Sequence, residues 1–117
     1  MSTSKPERQI DYIEMPVKDI ALTKKFYSAV FEWKFEDYGP AYTSFFDGRL
    51  AGGFTTEGTV PTRGLLLVIY AGDLKSFQKK VEAAGGKIVK DIFSFPGGRR
   101  FHFHDPSGNE LAVWSDQ

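Results

Sequence analysis

The sequence predicts an α+β fold made of two tandem modules, each a strand, a helix and three further strands. Three observations predict it. First, the chain repeats itself: shifted by 54 positions, Asp19 falls on Asp73, Ile20 on Leu74, Lys25 on Lys79 and Ala29 on Ala83. Second, each of those aspartates stands between an apolar, strand-like run and a helix-like run. Third, each half closes on a strand led by glycine, Gly48 before Leu50–Phe54 and Gly108 before Leu111–Trp114, now offset by 60. The second half therefore carries about six extra residues, expected in the turn at Phe95–Arg99. A repeat of this length marks duplicated supersecondary units that bury a face against each other.

In the first half, Ile10–Val17 reads as a strand, with Tyr12, Glu14 and Pro16 alternating against Asp11, Ile13 and Met15. Asp19 is suited to cap a helix, because its carboxylate can accept from the free N–H groups of the first turn. That helix runs to about Val30, with Ile20, Phe26, Tyr27 and Val30 as its apolar stripe. Trp33–Tyr38 reads as a short strand and Gly39-Pro40 as a turn. Tyr42–Phe46 and Leu50–Thr55 are strands joined by a tight Asp47-Gly48 turn.

The second half follows the same order. Leu65–Tyr70 is wholly apolar, which predicts a strand buried on both faces. Asp73 caps a helix over Leu74–Ala84, stopped by Gly85-Gly86, since glycine accepts the left-handed conformation a helix end often needs. Lys87–Phe93, Arg100–His104 and Glu110–Ser115 are strands, separated by the Pro96-Gly97-Gly98 and Asp105-Pro106-Ser107-Gly108 turns. The expected organisation is a disordered polar tail over 1–8, a first module over 9–56, a linker over 57–64 and a second module over 65–117. Together they form one compact domain.

Composition excludes several classes. Fifteen Lys plus Arg balance fifteen Asp plus Glu, which argues against a nucleic-acid-binding protein. There is no cysteine, so disulfides and Cys-based zinc sites are out. No apolar run approaches the roughly 20 residues of a membrane span. The start, MSTSKPERQ, has no apolar segment of a secretory signal, so the cytoplasm is the expected compartment. Aromatic residues make up 15% of the chain, enough both to build a core and to line a pocket for a flat apolar ligand.

The order of elements, together with its motifs, resembles the vicinal oxygen chelate superfamily, which includes glyoxalase I, extradiol dioxygenases and bleomycin-resistance proteins. The motifs are Met15-Pro16-Val17-Lys18-Asp19, Lys25-Phe26-Tyr27, Val30-Phe31-Glu32-Trp33, Val81-Glu82-Ala83-Ala84-Gly85-Gly86-Lys87 and Asp105-Pro106-Ser107-Gly108-Asn109-Glu110. The resemblance covers roughly residues 9 to 115. It implies two βαβββ modules whose sheets curl around a central cleft, and a homodimer. It also implies four metal-ligand positions, which fall here on Tyr12, Leu66, Ala112 and, within one residue, Gly52. Leu, Ala and Gly offer no side-chain donor and a neutral Tyr is a poor one, whereas a divalent ion needs three or four. No metal or other cofactor is therefore expected, which puts metal-dependent isomerase and dioxygenase chemistry in doubt and favours a protein that binds a small molecule.

If the resemblance holds, Tyr12 and Glu14 share the cavity face, as do Glu110 and Trp114. Glu14 and Glu110 are the candidate acid–base residues, provided desolvation raises at least one of them. Tyr12, Glu14, Tyr42, Phe54, Tyr70, Arg100, His102, Glu110 and Trp114 are the candidate ligand contacts, Arg100 for an anionic group. Phe45 is a further aromatic of the pocket set, while Trp33 reads equally as core or interface. His102 and His104 share one face of a strand, with Phe101 and Phe103 on the other, and sit away from the family's ligand positions. The readings are thus a metal-independent binding protein for an aromatic or amphipathic ligand, a glyoxalase-like lyase or isomerase or a dioxygenase with a non-standard metal site, and a non-catalytic dimeric interaction module.

Overall fold

The computed structural model describes residues 7–8, 10–60 and 65–117. The expected tail, apart from Glu7 and Arg8, and the last four residues of the expected linker lie outside the described residues. The first module comprises β1 (Tyr12–Pro16), α1 (Ile20–Phe31), β2 (Lys34–Asp37), β3 (Tyr42–Phe46) and β4 (Ala51–Thr55). The second comprises β5 (Leu67–Tyr70), α2 (Leu74–Ala83), β6 (Lys87–Phe95), β7 (Gly98–His104) and β8 (Glu110–Ser115). Each module makes its own four-stranded sheet, ordered β1-β4-β3-β2 and β5-β8-β7-β6. The opening strand lies parallel to the closing one, and the other pairings are antiparallel.

Both helices start where the aspartates put them. Asp19 Oδ1 accepts from the Leu22 N–H at 2.9 Å, and Asp73 Oδ1 from the Ser76 N–H at 3.1 Å. Gly85, at φ +97°, follows α2 in the left-handed region, which a residue with a Cβ enters only under strain.

One face of each sheet packs on the helices. Ile13, Met15, Phe45 and Phe54 from the first sheet and Phe101, Phe103, Leu111 and Val113 from the second meet Phe26, Tyr27, Val30, Leu74, Phe77 and Val81 of the helices. The rings form a continuous stack: Tyr27 lies 4.7 Å from Trp33 and 5.0 Å from Phe54, and Trp33 lies 4.7 Å from Phe45. Trp33 is therefore core. The modules meet chiefly through α1 against α2, where Phe31 contacts Phe77, and Phe26 of α1 also contacts Phe103 of β7.

A second junction is polar. The Asp105 carboxylate is buried and accepts four hydrogen bonds. They come from the backbone N–H groups of Ser107 and Asn109 (2.9 Å each), the Asn109 amide (3.2 Å) and the Tyr27 hydroxyl (3.0 Å). The same turn reaches the end of β1. Asn109 Nδ2 donates to the Pro16 carbonyl at 3.0 Å, and Ser107 Oγ accepts from the Lys18 N–H at 2.8 Å. A segment that reads as a simple turn is thus a clasp between modules. Burial first, and the Asp105 charge second, push the Tyr27 phenol well above its usual range.

Two expectations are corrected. The apolar run at Leu65–Tyr70 predicts a strand buried on both faces, but β5 is an edge strand paired only with β8. Val68 and Tyr70 are exposed, as is Leu65 before the strand. Burial on both faces needs a layer on each side, and the helices cover one side only. The extra residues of the second half are not a longer turn either. They mostly lengthen the hairpin, since β6 and β7 have nine and seven residues where β2 and β3 have four and five.

Replacing Asp105 by Ala leaves the Tyr27 hydroxyl and the Ser107 and Asn109 N–H groups without their acceptor, and is expected to cost about 3 kcal/mol in denaturant unfolding. Tyr27→Phe removes one donor and should cost about 1–2 kcal/mol. Because folding holds Tyr27 neutral, its contribution is complete below pH 10, the ordinary tyrosine value, and is lost as pH rises beyond it. The alkaline loss of stability should therefore be smaller in Tyr27→Phe than in the wild type.

Candidate functional site: two open sheet faces

The faces turned away from the helices carry the candidate residues. On the first sheet, alternation and register bring Tyr12 and Glu14 of β1 beside Ala51 and Gly53 of β4, with Tyr42, Ser44 and Phe46 of β3 next in line. The Tyr42 hydroxyl donates to Glu14 Oε1 at 2.9 Å, so the Tyr12 hydroxyl, 2.5 Å away, donates to Tyr42. Desolvation raises the Tyr42 phenol far above its ordinary value, with Tyr12 and Glu14 adding to the effect. Gly53 makes this network possible: a Cβ there would stand 1.9 Å from the Tyr42 oxygen and 2.7 Å from the Tyr12 oxygen. Beside the network lies an open groove of about 460 Å³, lined by Tyr12, Lys34, Glu36, Tyr38, Ser44 and Phe46 among others.

On the second sheet, β8 contributes Glu110 and Trp114, β7 contributes Arg100, His102 and His104, and β5 contributes Val68 and Tyr70. Tyr70 and Trp114 meet edge to face at 5.2 Å, and the Tyr70 hydroxyl donates to Asp116 at 2.8 Å. His102 is buried, its Nδ1 2.8 Å from Glu110 Oε2, and His104 Nε2 lies 3.6 Å from Glu110 Oε1. The hydrogen bond from His102 is the main cause that holds the Glu110 carboxyl below its usual range, against the opposing effect of desolvation. The acid–base reading needs a raised carboxyl, so for Glu110 the direction is reversed. Arg100 sits within β7, its guanidinium over the Phe93 and Phe95 rings.

The candidates thus form two groups, Tyr12, Glu14 and Tyr42 on one sheet and Tyr70, Arg100, His102, Glu110 and Trp114 on the other. No hydrogen bond or ring contact joins the groups among the described residues. Phe54 belongs to neither. It is 0% exposed and packs on Tyr27, Phe45 and Phe35, because in β4 its neighbour Gly53, not Phe54, faces outward. Phe45 faces the core for the same reason of alternation. Phe46, Tyr38, Phe93 and Phe95 were not among the candidates. The alternation of Tyr42, Ser44 and Phe46 carries the signal for Phe46. Phe93 and Phe95 are hidden by register shifts in β6, between Ile88 and Lys90 and again between Lys90 and Phe93.

The positions where the resemblance implies a metal do not fit one. Leu66 and Ala112 have no donor atom, and the Tyr12 oxygen is engaged by Tyr42. Gly52 turns toward the core, where a Cβ would meet the Ile13 carbonyl and the Phe45 ring, so the outward position is Gly53. Among the described residues, no group of three or more His, Asp or Glu side chains is arranged to hold an ion.

Comparison with known proteins agrees with this frame. The model of the Glyoxalase/Bleomycin resistance protein/Dioxygenase superfamily matches residues 9–113. A glyoxylase-like domain-containing protein of Didymella fabae is 36% identical, over 90% of this chain and 91% of its own. Among solved structures, a glyoxalase/bleomycin resistance protein/dioxygenase family enzyme from Burkholderia phytofirmans PsJN superposes with a TM-score of 0.80 at 17% identity, covering 92% of this chain and 98% of that one. The fosfomycin resistance protein FosX from Mesorhizobium loti gives 0.77 at 14% identity, covering 92% of each chain. No described helix is long and apolar enough to cross a membrane. The chain, with its paired βαβββ modules and helix-backed open sheets, belongs to the glyoxalase/bleomycin resistance protein/dioxygenase superfamily.

Proposed function

We propose that the protein is a metal-independent small-molecule-binding member of this superfamily, acting in the cytoplasm and taking an aromatic or amphipathic ligand. The ligand lies between the open face of a first module and that of a second, and a homodimer completes the cleft. The observation that carries this reading is the furnishing of the faces: large aromatics left exposed (Tyr12 at 44%, Tyr70 at 50%) next to a few fixed polar groups. Apolar surface with sparse, oriented polar atoms is the usual make-up of a ligand site. Tyr12, Tyr42 and Glu14 form one wall and Tyr70, Trp114, His102 and Glu110 the other. The unsuitability of the four inherited positions for an ion supports binding over metal-assisted catalysis. The similarity to a fosfomycin resistance protein supports a natural product or antibiotic as ligand.

One observation favours a second reading. Glu110 lies between His102 and His104, at 2.8 and 3.6 Å, and a non-standard metal site of a glyoxalase-like lyase or isomerase would have to draw on these three. A carboxyl held low by histidine is a weak base, so this trio suits ligand contact better than proton abstraction.

Two experiments test the proposal. Untagged protein, as isolated and after soaking in Zn, Ni, Mn and Fe(II), is expected to hold no stoichiometric metal by mass spectrometry. One tightly held ion per chain would sink the metal-independent reading and make His102→Ala and His104→Ala the next variants. In a fluorescence screen of aromatic and amphipathic compounds, Trp114→Ala should weaken any hit about tenfold or more, as loss of a buried aromatic anchor does. An unchanged affinity removes Trp114 from the site.

A further inference from the structure

Two cations share one aromatic ring on the open face of the second sheet. Lys90 Nζ lies 4.7 Å from the centre of the Phe93 ring, and Arg100 Cζ lies 5.4 Å from it and 5.5 Å from the Phe95 ring. Register explains the gathering: Lys90 pairs with His102, Phe93 with Arg100, and Arg100 with Trp114, so all face the same way.

Neither cation has a carboxylate partner among the described residues. Among the acids, Glu110 is engaged by the two histidines and Asp116 by Tyr70, and Asp91, next to Lys90 in β6, turns to Gln78 of α2. Two buried nitrogens on this face also lack partners, Arg100 Nε and His102 Nε2. Stacking on Phe93 and Phe95 fixes the guanidinium, while like charges drawn to one ring repel and a buried donor without an acceptor is destabilising. An anion held by both cations removes the repulsion, and the guanidinium fork matches two oxygens of one group.

We propose that this face recognises an oxyanion, a carboxylate or a phosphoryl group, carried on an aromatic or apolar body. Arg100 and Lys90 hold the anion, and Trp114 and Tyr70, in edge-to-face contact beside Arg100, hold the body. This names the ligand's chemistry and rests on the reading of the open faces as binding surfaces. Lys90 lies outside the candidates read from the sequence, since the register shifts in β6 bring it here.

The test is an amide NMR titration of the full chain with benzoate, phenylphosphonate and neutral benzamide. The wild type should bind one or both anions with shifts centred on β7 and β8, at least about tenfold more tightly than benzamide, and more weakly as salt is added. The stronger of the two anions identifies the carboxylate or the phosphoryl source. Arg100→Gln should lower anion affinity about tenfold or more and leave benzamide unchanged. Arg100→Lys, which keeps the charge and loses the fork, should fall between. Lys90→Gln should cause a smaller loss. If benzamide binds as well as the anions, or a folded Arg100→Gln protein binds them as the wild type does, the anion site is wrong while the binding surface stands. If no probe, charged or neutral, perturbs either face, both fall.

Discussion

A single buried carboxylate ties the two halves of this molecule together. Asp105 gathers two backbone N–H groups from its own turn, the Asn109 amide and the Tyr27 hydroxyl from the other module. A buried charge without such partners would be strongly unfavourable, so the chain reaches its stable state only when α1 is docked against the β7–β8 turn. Asn109 and Ser107 extend the junction to Pro16 and Lys18, at the exit from β1. The strand carrying Tyr12 and Glu14 is thereby placed relative to β8, which carries Glu110 and Trp114, although no hydrogen bond or ring contact joins the two groups among the described residues. The aromatic stack from Phe45 through Trp33 and Tyr27 supplies apolar burial on the same axis.

Because both sheets spend one face on the helices, each has one face left over. Those faces are not furnished as plain solvent-exposed surface. A tyrosine–tyrosine–glutamate chain lies across one. On the other, a histidine-held glutamate stands beside an aromatic pair and two cations that have no carboxylate partner among the described residues. Polar groups already oriented by their neighbours lose little freedom when a ligand arrives, which is the physical basis of a prepared binding surface.

The duplicated frame was legible because it rests on local chemistry: two capping aspartates, a glycine stop after the second helix and two glycine-led closing strands. Faces were legible wherever strict alternation held, so Tyr12 with Glu14, and Glu110 with Trp114, came out together. Alternation failed in two places for identifiable reasons. At Gly52-Gly53 no side chain marks which residue faces in, and the neighbouring Phe54 was assigned outward when it belongs to the core. In β6 the register shifts break the period of two, which concealed Phe93 and Phe95 and the cations around Phe93. The apolar run before Asp73 misled in another way: Val68 and Tyr70 are exposed on the face of the sheet that the helices leave uncovered. The role of Asp105 was out of reach, since Tyr27, the donor from the other module, lies 78 residues away in the chain.

The packing at Gly53 bears on how such a chain can change. The space an outward side chain at 53 would enter is filled by the Tyr42 and Tyr12 hydroxyls, the nearer 1.9 Å from where its first carbon would stand. A side chain there requires the two tyrosine rings to swing aside, and Tyr42 then gives up its hydrogen bond to Glu14. The hydroxyl network and the bare backbone at position 53 therefore depend on each other, and a change at either one is felt at Glu14.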